Sequence, residues 1–332
     1  MAHELYIQNG EASMFYIGEA PWHGLGTKLE NPATATEAIR AARLDWQVTK
    51  KPLAAVDGIA VLSLPGRYAV VREDLWGTPE CAVLGLVGRD YTPLQNSQAF
   101  EFFDPIAGKG AAIYHTAGAL GKGERVWILA KLPSVIRIAG DDIVEKYLLL
   151  SNSHEGTSSV QIKLTPIRVV CQNTLTMALK DGPTVRVSHT RDVHQRLRDA
   201  ERMLGLIESH YGHIEEVFKA MVEVNLPKPR LMEYLSHVFP DPPDPENERV
   251  VKRVKNDREW VEFFFVQGKG NQSRDVAGTL WAAYNGITEY VDHRSTAQSA
   301  DRRLISLWFG EGYQIKARAF RVAEAKIAAW AN

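Results

Sequence analysis

The sequence predicts an α+β fold in which an antiparallel β-sheet block packs on a long helix and is followed by a helical C-terminal unit. Short apolar runs with strand-like spacing occupy the region from about 53 to 190. Apolar residues from Val193 to Met221 then recur in alternating steps of four and three, and from residue 247 onward the spacing stays helical. Because strands are grouped rather than alternating with helices, the pattern argues against a doubly wound parallel sheet.

The composition is that of a globular protein with more than one structural unit. The chain has 332 residues, of which 45% are hydrophobic and 24% charged, which excludes a disordered, collagenous or disulfide-scaffold protein. The two cysteines, Cys81 and Cys171, lack the spacing of a metal site. We find no apolar run of membrane-spanning length and no secretory signal, and therefore expect a reduced, cytoplasmic protein with no membrane contact.

The elements of the first unit are short. A glycine-punctuated loop at 21–26 precedes a short helix at 36–42, and the Asp57-Gly58 pair predicts a hairpin turn within 54–64. A helix with Ser97 as its N-cap is expected at 97–107. Further strands are predicted at 68–72, 82–87, 111–115, 125–132, 143–151, 160–164 and 185–190.

The second half of the chain is predicted to be helical. A long helix spans about 191–224, with Thr190 as its N-cap, and Pro227 and Pro229 follow its end. A short helix at 231–238 precedes an acidic, proline-rich segment that is typical of a linker. More helices are expected at about 247–266, 274–291, 298–309 and 314–330. The predicted units are thus an α+β core at 1–225, a short helix and linker at 226–248, and a helical C-terminal unit at 249–332.

The predicted strands carry cations on one face. Alternation places Arg125, Trp127, Leu129 and Lys131 together, opposite an apolar set that starts at Val126. The other faces of this kind hold Ser159, Gln161, Lys163 and Thr165 on one strand and Thr184, Arg186 and Ser188 on another. No acidic residue lies between Glu155 and Asp181. Cations for phosphates and an aromatic ring for bases are what single-stranded DNA requires.

We therefore predict a nucleic-acid-binding site on this face. Asn173 joins it because it lies where a strand meets a short helix, whose N–H groups favour an anion. The alternative is an ordinary solvent-exposed strand face, with Trp127 in the core. The predicted site residues are Arg125, Trp127, Lys131, Lys163, Arg168, Asn173 and Arg186.

The sequence carries no recognised catalytic signature. Nucleophile-elbow, zinc-protease and paired-carboxylate motifs are missing, so we predict no catalytic residues, no metal and no cofactor. The polar loop at 152–159 is either a phosphate-binding loop or a plain hairpin connection. His154 and Glu155 on that loop are the candidates if the protein is instead a metal-dependent enzyme.

Several motifs together resemble a known family. They lie at 21–26, 91–96, 117–120, 125–127, 151–156, 165–175 and 285–293, and the most specific of them reads Arg-Val-Val-Cys-Gln-Asn-Thr-Leu. The chain is similar, from about 15 to 295, to the phage/plasmid-like protein family, domain of unknown function 932. The resemblance implies an origin in a bacteriophage or mobile element and carries no settled activity. A β-rich block followed by a long helix is also similar to phage single-strand annealing proteins, which form rings or helical filaments.

The function predicted from all of this is single-stranded DNA binding and annealing in recombination or replication, by a homo-oligomer such as a ring. The mechanism would be electrostatic and geometric, without covalent chemistry. Two alternatives stay open. One is a metal-dependent nuclease or hydrolase, and the other is a structural or inhibitory phage protein that binds a host protein.

Overall fold

The fold is mixed α+β, as the grouping of strands and helices predicts. A computed structural model describes residues 5–18, 24–101, 113–168, 173–174, 184–192, 207–294, 306–307 and 310–330. The strands in these ranges are β1 (Ile7–Gln8), β2 (Glu11–Ala12), β3 (Met14–Ile17), β4 (Thr27–Leu29), β5 (Val48–Asp57), β6 (Ala60–Arg72), β7 (Val83–Gly88), β8 (Ile113–Leu120), β9 (Arg125–Arg137), β10 (Ile143–Ser153), β11 (Val160–Leu164), β12 (Ile167–Arg168), β13 (Asn173–Thr174) and β14 (Thr184–Val187). The helices are α1 (Ala35–Ala41), α2 (Asn96–Glu101), α3 (Ile207–Glu223), α4 (Lys228–Val238), α5 (Glu248–Gln267), α6 (Leu280–His293) and α7 (Glu311–Trp330).

A nine-stranded sheet is built around the long strand β10. One edge of β10 pairs with β9, and the sheet continues through β8 and β3 to β4. The other edge of β10 pairs first with β12 and then with β11, which extend to β13 and β14 respectively. Every pair is antiparallel except β3 with β4. The N-terminal segment was not predicted to join this sheet, and its strands depend on pairing with β8 far along the chain.

Three strands form a second, smaller sheet in the order β5–β6–β7. The predicted hairpin is confirmed, since Asp57 pairs with Ala60 across a two-residue turn. Gly58 has a φ of 58°, which suits glycine in such a turn. The strands extend well beyond the predicted segment 54–64, from Val48 to Arg72.

The predicted alternation along β9 is confirmed. Val126, Ile128 and Ala130 are buried in the main apolar core, which also receives Phe218, from α3. The opposite side chains Trp127 and Leu129 belong to a second, smaller apolar cluster on the other face of the sheet. Both faces of the central sheet are therefore packed, whereas the sequence predicted one packed and one solvent-exposed face.

The seam that predicted the long helix is buried where the structure describes it. Tyr211, Ile214, Phe218 and Met221 are each 0% exposed. Helix α3 ends at Glu223, close to the predicted end, while Arg191 and Asp192 form a turn. Residues 193–206 lie outside the described ranges, so the full length of the predicted helix stays a prediction.

The C-terminal helices share the main core with the sheet. Phe218 contacts Trp281 of α6 and Phe320 of α7, with ring centroids 4.7 and 6.0 Å apart. The Trp281 indole donates a hydrogen bond of 2.8 Å to Asp142, beside β10. One apolar cluster is thus continuous across the predicted division between units.

Two predicted helix bounds differ from the structure. Helix α6 begins at Leu280, with Thr279 as its N-cap, because residues 274–278 form turns rather than the predicted first helical turn. Helix α2 begins at Asn96, before the predicted cap Ser97. The predicted helix at 298–309 and the end of the one at 97–107 lie largely outside the described residues.

Candidate nucleic-acid interface

The side chains predicted to share one face do so in the structure. Trp127 on β9 lies opposite Ser151 on β10, Ser151 lies opposite Gln161 on β11, and Gln161 lies opposite Arg186 on β14. Side chains opposite one another in such a row point to the same side of a sheet. We call this side the Arg125 face, after the first residue of β9, which lies two residues before Trp127.

Trp127 is a core residue rather than an exposed ring. Its side chain is 1% exposed and packs with Leu5, Ala12 and Met14 from the N-terminal segment. The neighbouring Gly118 leaves room for the ring, because a Cβ there would lie 3.0 Å from it. The predicted exposed position of Trp127 is therefore wrong. The pattern of β9 could not reveal this, since the covering segment is more than a hundred residues earlier in the sequence.

Three of the predicted cations are close enough to influence one another. Lys163 is 7% exposed, and its pKa is lowered to about 8, first by burial and then by the positive charges of Arg186 and Arg125. The Lys163 ammonium also lies 4.3 Å from the ring centroid of Tyr313, near the start of α7. Arg186 is exposed. Cations that destabilise one another's charged forms favour the approach of an anion.

Among the described residues, the carboxylate of Glu155 reaches this cation cluster, which consists of Arg125, Lys163 and Arg186. An Nη of Arg125 donates to Glu155 over 2.6 Å, and the two side chains are 17% and 28% exposed. Glu155 belongs to the polar loop after β10, which β7 holds closely. A Cβ at Gly85 of β7 would lie only 2.3 Å from the Glu155 backbone. The loop is thus a tight, packed connection that places one acid beside the cluster.

Lys131 stands apart from the cation cluster. It lies six residues along β9 from Arg125, and its ammonium is 2.5 Å from Glu145, whose other oxygen accepts from Tyr147 over 2.7 Å. Lys131 lies near the middle of β9, about 20 Å from Arg125 and beside the end of β10 that carries Glu145, so it does not widen the charged surface around Arg125 as the sequence predicted. The backbones of Arg168 and Asn173 lie on β12 and β13, at this same end of β10.

His154 is buried behind the Arg125 face. Its ring is 0% exposed and lies 3.1 Å from Asn96 Oδ1, while the Asn96 amide donates to the carbonyl of Leu44 over 3.0 Å. Nε2 of His154 therefore carries the proton. Burial, and then the nearby His189, lowers the pKa of His154 to about 3. A neutral, enclosed imidazole does not suit the acid–base role that the enzyme alternative would give it.

The described residues offer neither a metal centre nor a membrane-spanning helix. Nowhere among them do three His, Cys, Asp or Glu side chains group as metal ligands. His213, on α3, lies 3.0 Å from Glu324. No described helix is both long and apolar enough to cross a membrane.

Helix α5 presents a cationic surface that the sequence analysis missed. Arg249, Lys252 and Arg253 are exposed on its first turns. Further along, Trp260 and Phe263 are 37% and 51% exposed, and form an edge-to-face pair with centroids 5.8 Å apart. The signal was present in the spacing of these cations and aromatic residues. It was overlooked because a charged run on a helix usually marks a solvated face.

The fold and the site together define an α+β protein with a cation cluster at one end of its central sheet. The family model described as "Domain of unknown function (DUF932)" matches residues 83–308, and the chain belongs to that family. Among curated proteins, it is similar to UPF0380 protein YafZ of Escherichia coli K12, with 29% identity over 51% of this chain and 55% of the relative. UPF0380 protein YfjQ of the same organism is 31% identical over 46% of this chain and 50% of that relative.

The chain spans about half the length of the curated relatives it matches. No solved structure matches it.

Proposed function

We propose that this chain is a single-stranded DNA-binding and annealing protein of a phage or mobile element, acting in recombination or replication as a homo-oligomer. The observation that carries the proposal is the cation cluster on the Arg125 face. Burial and mutual repulsion lower the pKa of Lys163, so the cluster is held at an energetic cost. Phosphate groups would relieve this repulsion and would be held without reading base sequence.

The proposed contact set is narrower than the sequence predicted. Arg125, Lys163 and Arg186 hold the backbone, while the polar side chains of Ser151 and Gln161 lie between them on the same face. Trp127 supports the sheet from its core position and does not stack on bases. Annealing follows when two held strands expose their pairing edges, which requires no covalent step.

The test is the salt dependence of binding to a fluorescein-labelled oligothymidine, followed by anisotropy. Arg186→Ala should weaken binding and lower the slope of log affinity against log salt by about 0.7, the value for one phosphate contact on a single strand. Arg186 is exposed, so its loss removes little packing. Lys131→Ala is the matched control, since that lysine lies six residues along β9 from Arg125, outside the cation cluster.

Two outcomes would overturn the proposal. One is no binding by the wild-type protein even at low salt, and the other is equal slopes for wild type, Arg186→Ala and Lys131→Ala. A slope lowered instead by Lys252→Ala/Arg253→Ala would move the DNA site to helix α5. Annealing itself is measured by energy transfer between two complementary labelled strands, whose pairing rate should rise with added protein.

The same labelled strands test the enzyme alternative. Incubation with Mg²⁺, Mn²⁺ or Zn²⁺ should leave single-stranded DNA, duplex DNA and RNA intact. Metal-dependent cleavage that is lost in Glu155→Gln would favour the nuclease instead.

A further inference from the structure

The hairpin of β5 and β6 extends beyond the rest of its sheet. Strand β7 pairs with β6 only over Arg67–Val71. Beyond that point, residues 53–66 form a two-stranded ribbon, in which Val56 pairs with Val61 and Ala55 with Leu62. We call these residues the hairpin arm. Within the described part of the chain, neither strand of the arm has a third strand beside it.

The hairpin arm is apolar on both of its faces. Leu62 and Leu64 lie on one face, and Val56 and Val61 lie on the other. The exposed fractions of the large apolar side chains are 69% for Val56, 104% for Ile59, 69% for Val61, 68% for Leu62 and 40% for Leu64. An isolated ribbon of two strands is at best marginally stable in water unless another element packs on it. An exposed apolar arm of this kind is a contact surface.

The chemistry of the arm selects its partner. Asp57 is the one charged residue in the segment 53–66, so the arm has no charge pattern that would recognise a polyanion or a charged protein surface. Among the described residues no strand pairs with either edge of the arm, and an open edge accepts another strand through its backbone N–H and C=O groups. An uncharged, apolar ribbon with open edges is complementary to itself.

We propose that the hairpin arm is a self-association surface, whose occupant is the arm of a second copy of this chain. At roughly 100 Å² for a fully exposed aliphatic side chain, the five large residues expose about 350 Å² per copy, divided between the two faces of the arm. A partner arm covers one of these faces, so the two arms bury less than the ~1,000 Å² of a stable specific interface, and their contact belongs to the small, reversible class. A symmetric pairing of this kind buries the same residues on both copies.

This inference rests on the proposed function, which includes a homo-oligomer. It identifies the surface through which the copies of the chain contact one another. It does not depend on the DNA site, because the arm and the cation cluster lie on different sheets. The apolar seam of the long helix is the other apolar surface that could serve assembly. The described part of that seam is buried within one chain and is not available to a partner.

Sedimentation velocity across micromolar concentrations tests the arm. The wild-type protein should sediment as an oligomer, and Val61→Lys/Leu62→Lys, which places a charge on each face, should sediment as a single chain. Val266→Lys is the matched control, because Val266 is 56% exposed on helix α5 and its substitution should leave the oligomer intact. Circular dichroism on each variant establishes that it is folded.

If the lysine variant does not fold, Val61→Thr/Leu62→Thr places two β-branched residues, which suit a strand, in the ribbon. This variant should still weaken association at least tenfold. A monomeric wild-type protein would overturn the inference, as would a folded arm variant that keeps the oligomer. Oligothymidine binding is measured on the same samples. An arm variant that loses the oligomer but keeps the salt slope of DNA binding supports the inference. A wild-type protein that forms the oligomer but does not bind DNA contradicts only the DNA-binding part of the proposed function.

Discussion

An Nη of Arg125 lies 2.6 Å from a carboxylate oxygen of Glu155, so the loop after β10 supplies the counter-charge to the cation cluster. The geometry makes Glu155 a competitor of any phosphate that approaches Arg125. A similar ion pair lies at the middle of β9, where Glu145 holds Lys131 over 2.5 Å. These two ion pairs allow the start of β9 to be tested against its middle.

Glu155→Gln should strengthen binding of single-stranded DNA. Removing the carboxylate takes away a charge that competes with the phosphate for the Arg125 guanidinium, so affinity should rise and the salt slope should steepen. The measurement is the anisotropy titration at several salt concentrations. Glu145→Gln frees Lys131 in the same way and should change neither quantity, because that lysine lies outside the proposed contact set. A larger gain from Glu145→Gln than from Glu155→Gln would place the bound DNA beside Lys131, at the middle of β9, and would contradict the proposed contact set.

Binding should weaken as the pH rises from 7 to 9. The pKa of Lys163 is lowered to about 8, so this lysine loses its charge within that interval and one cation leaves the cluster. Lys163→Arg should remove the pH dependence, because a guanidinium keeps its charge throughout the range. A decline that persists unchanged in Lys163→Arg would mean that another group causes it. Affinity at fixed ionic strength across this interval is the quantity to compare.

Trp127→Ala should destabilise the protein without weakening DNA binding by the folded molecules. The indole is buried beneath the N-terminal segment, and truncation of a buried aromatic residue costs about 3–5 kcal/mol. Denaturant unfolding measures this loss, and the salt slope of the folded variant should match that of the wild-type protein. Trp127→Phe keeps most of the ring and should lose less. Reduced affinity in a stably folded Trp127→Phe protein would restore the base-stacking role that the sequence suggested.

The free energy of unfolding should fall as the pH drops from about 6.5 toward 4. His154 has a pKa of about 3 in the folded state, because it is buried, and an ordinary value near 6.5 when unfolded. Below pH 6.5 the unfolded chain therefore binds a proton that the folded chain excludes. A group of this kind contributes a slope of up to about 1.4 kcal/mol per pH unit.

The variant His154→Gln, which keeps a donor for Asn96, should reduce that slope. Chemical denaturation at a series of pH values between 7 and 4 provides the comparison. His115, whose pKa is lowered to about 4 by burial and then by Lys131, contributes its own share and remains in the variant. An identical slope in His154→Gln would show that the imidazole is not enclosed.

The local patterns of the sequence predict much of the fold. The period of two along β9 correctly assigns Val126 and Trp127 to opposite faces, because successive side chains of a strand alternate whatever packs on them. Asp57-Gly58 predicts its hairpin since glycine suits the backbone of a two-residue turn. Tyr211 and Phe218 are buried as the helical seam predicts.

The candidate site depended on contacts that no local pattern contains. Whether a face of a sheet meets water or another segment is decided by parts of the chain that are distant in sequence. Met14 and Leu5 cover Trp127, so a ring that alternation makes available to bases is in fact enclosed. The start of helix α6 was predicted at residue 274 but lies at Leu280, for a related reason. The turns before Thr279 are set by their packing and hydrogen bonds rather than by apolar spacing.

By itself, the sequence determined which residues share a strand face, where the β5–β6 hairpin turns and which side of α3 is buried, because those properties follow from backbone geometry over a few residues. Only the tertiary structure decided that Arg125, Lys163 and Arg186 come together while Glu145 neutralises Lys131. Strand order places the charges, and strand order is set by pairings between segments far apart in the chain. Electrostatic interactions fall steeply with distance and exposure, so the same cations acquire different roles according to their neighbours.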